Sequence, residues 1–148
     1  MLPATIAVAQ DSEGIETEFL FDIQLELPDS SHWVGDTPYG GRNVFPIIGG
    51  TVEGPMIKGE VLHGADYGLG RADESFELDV RLVFRTDDDA LINMYYIGLI
   101  FETEDGDQYW RIVARFETGA EQYDWLNRVI AVGTVMEPIP SYKLYAVK

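Results

Sequence analysis

The run SFELDVRLVFR, residues 75–85, sets Phe76, Leu78, Val80, Leu82 and Phe84 on one side of the chain and Glu77, Asp79, Arg81, Val83 and Arg85 on the other. A period of two belongs to a strand, whose successive side chains point to opposite faces; a helix repeats its apolar positions every third or fourth residue. FLFDIQLEL repeats the pattern, with Phe19, Phe21, Ile23, Leu25 and Leu27 against Asp22, Gln24 and Glu26, and stops at Pro28 and the turn-forming Asp29-Ser30-Ser31. LINMYYIGLIFET is apolar nearly throughout, and its bulky β-favouring residues and internal Gly98 predict a strand covered on both faces rather than a helix. The turn Glu104-Asp105-Gly106-Asp107 then leads by a hairpin into QYWRIVARFET. VIAVGTVM and SYKLYAVK read as closing strands around EPIP, and only YDWLNR, Tyr123 to Arg128, reads as a helical turn.

Short strands spaced by turns, with almost no helix, predict an all-β chain built as one antiparallel barrel or sandwich. Closure into a barrel is the better solution because it removes exposed strand edges. No linker, low-complexity tract or repeat divides the chain, so residues 1–148 are expected to form a single domain. A small closed barrel has room for one small ligand. Which faces point inward, the charged or the apolar, is left open by the alternation alone.

The segment GGTVEGPMIKGEVLHGADYG, residues 49–68, mixes glycines with Val52, Met56, Ile57, Val61 and Leu62. A phosphate-cradling loop would require GxxxxGK[ST], or GxGxxG between a strand and a helix, and neither occurs; Gly68-Leu69-Gly70 lacks the third glycine. The glycines instead predict bulges, bends and close backbone approach, as the corners of a barrel demand.

Charge and composition narrow the function classes. With 26 acidic against 10 basic residues the formal net charge is −16, which repels phosphate backbones and sets nucleic acid aside as a partner. The absence of cysteine excludes disulfides, thiolate metal sites and thiol nucleophiles, and suits a reducing compartment. The N-terminal MLPATIAVAQDSEG has no basic region and no cleavage-site pattern, and no stretch approaches a membrane span; a cytoplasmic location away from membranes is the expectation. His32 and His63 have no ligand spacing, and Asp87-Asp88-Asp89 lacks the alternation of a calcium loop, so no metal site is expected.

The order of motifs GGRNVFPIIGGTVEGPMIKGEVLHGADYG, LDVRLVFRTDDDALI and RFETGAEQYDWLNRVIAVG, followed by a short terminal strand, resembles the DUF3237 (UPF0311) family from about Phe19 to the C-terminus. The family pattern has Pro-Gly-Gly-Ala-Asp-Trp where this chain has Leu62-His63-Gly64-Ala65-Asp66-Tyr67, and Thr-Asp-Asp-Gly where it has Thr86-Asp87-Asp88-Asp89. The resemblance implies a single antiparallel β-barrel related to the allene oxide cyclase and dirigent type, often oligomeric, with most members functionally unassigned. It also implies, through fungal relatives, a cofactor-free cyclase that closes an ether ring by adding a phenol oxygen across an alkene of an aromatic, polyketide-like small molecule.

Ring closure within one molecule has its reactants already tethered, so the protein must fold the substrate, move a proton and exclude water. A carboxylic acid of raised pKa and a guanidinium on the developing oxygen charge would serve. Asp66, in HGADYG, is the candidate acid or base and Arg81 the candidate oxygen stabiliser, both expected to face one cavity. Arg42 and Asp79 are expected close by, Arg111 on a later strand, and Tyr67, Tyr96, Trp110 and Trp125 as rings that stack on a planar substrate. Each has a plainer reading: Asp66 as acceptor of backbone N–H groups, Asp79 and Arg81 as an outer ion-pair cluster, Arg42 and Arg111 as salt-bridge cations, Trp110 and Trp125 as core. A non-catalytic barrel whose arginines hold an anionic ligand is the alternative to a cyclase, and a structural protein that buries its apolar strand faces in an assembly is the third class. The apolar run Met94 to Phe101 exceeds what a lumen can bury and predicts a homo-oligomer.

Overall fold

A computed structural model describes residues 13–148. The stretch expected to lack a secretory leader lies, over residues 1–12, outside the described residues. Ten strands follow in order: β1 Thr17–Glu26, β2 His32–Thr37, β3 Gly40–Ile47, β4 Gly49–Glu53, β5 Lys58–Gly70, β6 Phe76–Thr86, β7 Leu91–Glu102, β8 Gln108–Glu117, β9 Ile130–Met136 and β10 Ser141–Val147. A 3-10 helix, Glu121–Arg128, separates β8 from β9 where YDWLNR predicts a helical turn.

Eight strands close a ring in the order β1, β4, β5, β6, β7, β8, β9, β10 and back to β1, every neighbour antiparallel. β5 is long enough to hold two partners along one edge, β4 opposite Lys58 to Glu60 and β3 opposite Gly64 to Gly70. The β2–β3 hairpin therefore extends the sheet from one end of the barrel.

The alternation resolves with apolar faces inward. On β6, Leu78, Val80, Leu82 and Phe84 are buried while Glu77, Asp79, Arg81 and Arg85 stand outside. β1 departs from strict alternation. A bulge between Phe19 and Phe21 turns both Leu20 and Phe21 into the core and puts Phe19 outside, its ring edge-on to Tyr145 and under the ammonium of Lys143. One inserted residue reverses the side on which every earlier side chain lies.

The two ends of the barrel differ. At one end Phe21 packs edge-on against Phe84 and Phe116 at 5.8 and 5.9 Å, and the 3-10 helix seals the opening with the fully buried Leu126. The opposite end, below the β2–β3 hairpin, remains hollow.

The 49–68 segment bends as its glycines require. β5 bulges between Val61 and His63 against β6. A Cβ at Gly64 would collide with the carbonyl oxygen of Arg81, and one at Gly68 with the ring of Phe76. β7 is a strand throughout, with Ile92, Met94 and Tyr96 fully buried inside. Its outer face is open: Ile97 pairs with Val113 and Val113 with Val132, and these three are 48, 45 and 36 % exposed. Among the described residues no helix is long and apolar enough to cross a membrane.

Candidate functional site

The hollow end of the barrel contains a cavity of about 200 Å³. β1 supplies Leu25, β3 Phe45 and Ile47, β6 Phe76 and Leu78, β7 Tyr96 and Ile100, β8 Trp110, and β10 Tyr142, with Ile139 and Pro140 of the β9–β10 turn at the side. All are apolar or aromatic. Among the described residues the one carboxyl in the lining is Asp66 of β5.

Asp66 points inward because it alternates with the exposed Tyr67 and stands opposite Val80, itself a lumen residue. Beyond that pair the β5–β6 ladder next pairs Leu69 with Glu77, and in the interval the backbone N–H of Asp79 donates to Asp66 Oδ1 at 3.0 Å. Gly68, by lacking a side chain, leaves the space that the Phe76 ring fills at the cavity wall. Only 9 % of Asp66 is exposed. Burial raises its pKa to about 6; the Asp79 N–H pulls it down, the Asp79 charge pushes it up and the Arg42 charge pulls it down again. A carboxyl in this state exists in both protonation forms near neutral pH and can give or take a proton.

Two tyrosines and a tryptophan adjoin it. Trp110 Nε1 donates to the hydroxyl oxygen of Tyr142 at 3.1 Å, and the Tyr96 and Tyr142 rings meet edge-on at 5.4 Å. Both tyrosines are 1 % exposed. Burial raises both hydroxyls well above the ordinary tyrosine value, with the Asp66 charge adding to the effect, and their mutual hydrogen-bond interaction raises Tyr96 and lowers Tyr142. Both therefore remain protonated donors at working pH.

Of the residues singled out in the sequence, the fold brings Asp66, Tyr96 and Trp110 into one cavity. Arg42 lies near, its Nη1 donating to the backbone carbonyl of Tyr67 at 2.7 Å and its charge acting on Asp66. Asp79 contributes its backbone N–H, while its side chain is outside.

The expectation that Arg81 shares the cavity with Asp66 is corrected. Arg81 pairs with Ala65 one step along from the Asp66–Val80 pair, so the strand period sends it through the opposite face, where its guanidinium lies over the Tyr95 ring at 4.4 Å. Together with Arg115, Glu117 and Asn127 it lines an outer groove. Tyr67 is 52 % exposed on the outer face. Arg111 is outside too, over Tyr109 at 5.2 Å, with Nη1 donating to the Trp110 carbonyl. Trp125 belongs to the 3-10 helix at the sealed end, in a hollow with Phe19, Leu20 and Met56.

Tyr142 was not among the residues singled out, although SYKLYAVK carries the signal. With Lys143 outside in a 2.9 Å ion pair to Asp22, the period of two turns Tyr142 and Leu144 inward. Phe45 and Ile139 carry no comparable sequence signal, since a hairpin and a turn bring them to the cavity.

The family model described as protein of unknown function (DUF3237) matches residues 15–147. A UPF0311 protein of Rhodopseudomonas palustris is 34 % identical over 134 residues, spanning 81 % of this chain and 87 % of that protein. The hydroalkoxylation enzyme phnH of Penicillium herquei is 31 % identical over 88 residues, spanning 60 % of this chain and 53 % of that protein. Among solved structures, a β-barrel-like protein of Acinetobacter baumannii superposes with a TM-score of 0.85 at 29 % identity, over 94 % of this chain and 99 % of that one. An enzyme from Penicillium herquei shares the fold with a TM-score of 0.77 at 23 % identity, over 90 % of this chain and 95 % of that one. A family match over almost the whole chain, together with the shared closed barrel, places this protein in the DUF3237 (UPF0311) family.

Proposed function

We propose that this chain is a cofactor-independent cyclase that closes an ether ring on an aromatic, polyketide-like small molecule held in the barrel cavity. The observation that carries the reading is a single buried carboxyl, Asp66, with its pKa raised to about 6 in an otherwise apolar and aromatic cavity. The partial likeness to a hydroalkoxylation enzyme supports the reaction type.

In the proposed step, protonated Asp66 gives its proton to one carbon of a substrate alkene, and a phenol oxygen of the same molecule bonds to the adjacent carbon. The phenol proton then returns to the carboxylate. The net change is an isomerisation: one O–H bond and one C=C π bond are lost, one C–O and one C–H bond are formed, and Asp66 ends as it began. The cavity walls contribute by holding the tethered groups close and keeping water away from the cationic carbon. Phe45, Phe76 and Trp110 offer faces to a planar ring and to that charge. Arg81, on the outer face, has no part in this step.

A non-catalytic binding barrel is the second reading, favoured by the apolar lining, which would hold a ligand whether or not Asp66 reacts. Incubation with a panel of ortho-alkenyl phenols separates the two. Conversion to a chromatographically distinct product of unchanged mass, lost in Asp66→Asn, supports the cyclase; saturable binding without conversion supports the binding barrel.

A further inference from the structure

We infer that Tyr142, oriented by Trp110, is the hydrogen-bond donor by which the cavity recognises an acceptor oxygen, a ring carbonyl or phenol, on a neutral ligand. This rests on the reading of the cavity as a small-molecule site.

An indole N–H can only donate, so in the 3.1 Å contact the Tyr142 oxygen is the acceptor. The neighbouring Tyr96 ring meets that of Tyr142 edge-on at 5.4 Å. A phenol oxygen carries one hydrogen and two lone pairs. With one lone pair taken by the indole, the hydrogen of Tyr142 remains to be given, and among the hydrogen bonds of the described residues none has it as the donor. Tyr142 is 1 % exposed and lines the cavity, so the acceptor comes from whatever fills it: water in the empty barrel, a ligand oxygen in the occupied one. A buried donor left without a partner is costly, which makes a ligand lacking the acceptor bind worse than one supplying it.

The same cavity discriminates by charge. Among the described residues no cation lines it, and its one carboxyl turns negative as pH rises. An anionic ligand would lose its water without gaining a counter-charge and would face the Asp66 carboxylate. The ligand class is therefore a neutral aromatic bearing one acceptor oxygen, with Tyr142 fixing that oxygen and Asp66 left free for the reacting part. Tyr142 would contact the ligand; Trp110 is a positioning residue.

Calorimetric titration with three probes of similar size tests this: 1-tetralone, which has the carbonyl; tetralin, which lacks it; and 1-naphthoate, which is an anion. The expected result is tetralone bound on the order of tenfold more tightly than tetralin, as one hydrogen bond allows, with naphthoate weakest at pH 8. Tyr142→Phe removes the preference, so that tetralone and tetralin bind alike, and tetralin still binds, which also shows that the variant is folded. Trp110→Phe lowers the same preference while the Tyr142 hydroxyl is still present. Equal binding of tetralone and tetralin to the unaltered protein, or a preference that survives Tyr142→Phe, overturns the inference and leaves the cavity reading standing. Tight binding of naphthoate at pH 8 overturns the charge selection. Failure of both neutral probes to bind overturns the cavity reading and the inference with it.

Discussion

Asp66 Oδ1 accepts the backbone N–H of Asp79 at 3.0 Å, across the interval in the β5–β6 pairing. One contact ties the buried carboxyl to the barrel wall, and it holds one carboxyl oxygen toward the strand. The arrangement leads to several measurable consequences.

Removing the titration of Asp66 while keeping its acceptor is expected to lower turnover without abolishing binding. Proton transfer by a positioned group is worth about 10² to 10⁴ in rate, so Asp66→Asn should reduce kcat by that order in an assay with a cyclising substrate. Activity of the unaltered protein should fall as pH rises through about 6, where the acid form is lost. Arg81→Met, on the outer face, should leave kcat unchanged.

Asp66→Asn should also stabilise the fold at neutral pH. The folded pKa lies above the ordinary value of 3.8, so the proton is held more tightly in the folded state. Stability linked to Asp66 is full below about 4 and is lost as pH rises through about 6. At pH 8 the difference approaches roughly 3 kcal/mol, as a shift of about two units implies. Urea unfolding should show Asp66→Asn more stable than the unaltered protein at pH 8 and equal to it near pH 4.

Gly68→Ala should damage both the wall and the cavity. The added Cβ has no space beside the Phe76 ring, which must move into the hollow or force the strands apart. Overpacking of this kind costs about 1–3 kcal/mol. Denaturant midpoints should fall, and the affinity for a neutral aromatic probe should fall with them.

The outer row Ile97, Val113 and Val132 runs in register across three strands and is about half exposed. We propose that a second copy of the chain covers it. Light scattering should then give a mass above that of a monomer, and Val113→Glu, which changes only the outer face, should return the monomer mass. A monomer in the unaltered protein at working concentration would contradict this.

Much of the barrel was legible because its strands are amphipathic: on β6 the alternation alone marks which residues share a side, and closure follows from the lack of any element to cover an edge. The direction of each face was not legible, because a strand with charges on one side and leucines on the other can line either a polar lumen or an apolar one. That ambiguity is why Arg81 was expected beside Asp66. The two belong to adjacent strands, and one residue of register decides that their side chains lie on opposite sides of the wall. Phe19 was misplaced for a related reason, a bulge that no residue type in FLFDIQLEL announces. Tyr142 was recoverable from Lys143 and the period of two, whereas Phe45 and Ile139 come to the cavity through chain reversals that local pattern does not encode.

The claim on which the account turns is that Asp66 is a buried carboxyl poised to exchange a proton within the cavity. A ¹³C-carboxyl NMR titration, with the Asp66 resonance assigned by its loss in Asp66→Asn, measures this directly. The account predicts a midpoint of about 6; a midpoint at the ordinary aspartate value near 3.8 would show a solvated or ion-paired carboxylate and would contradict it.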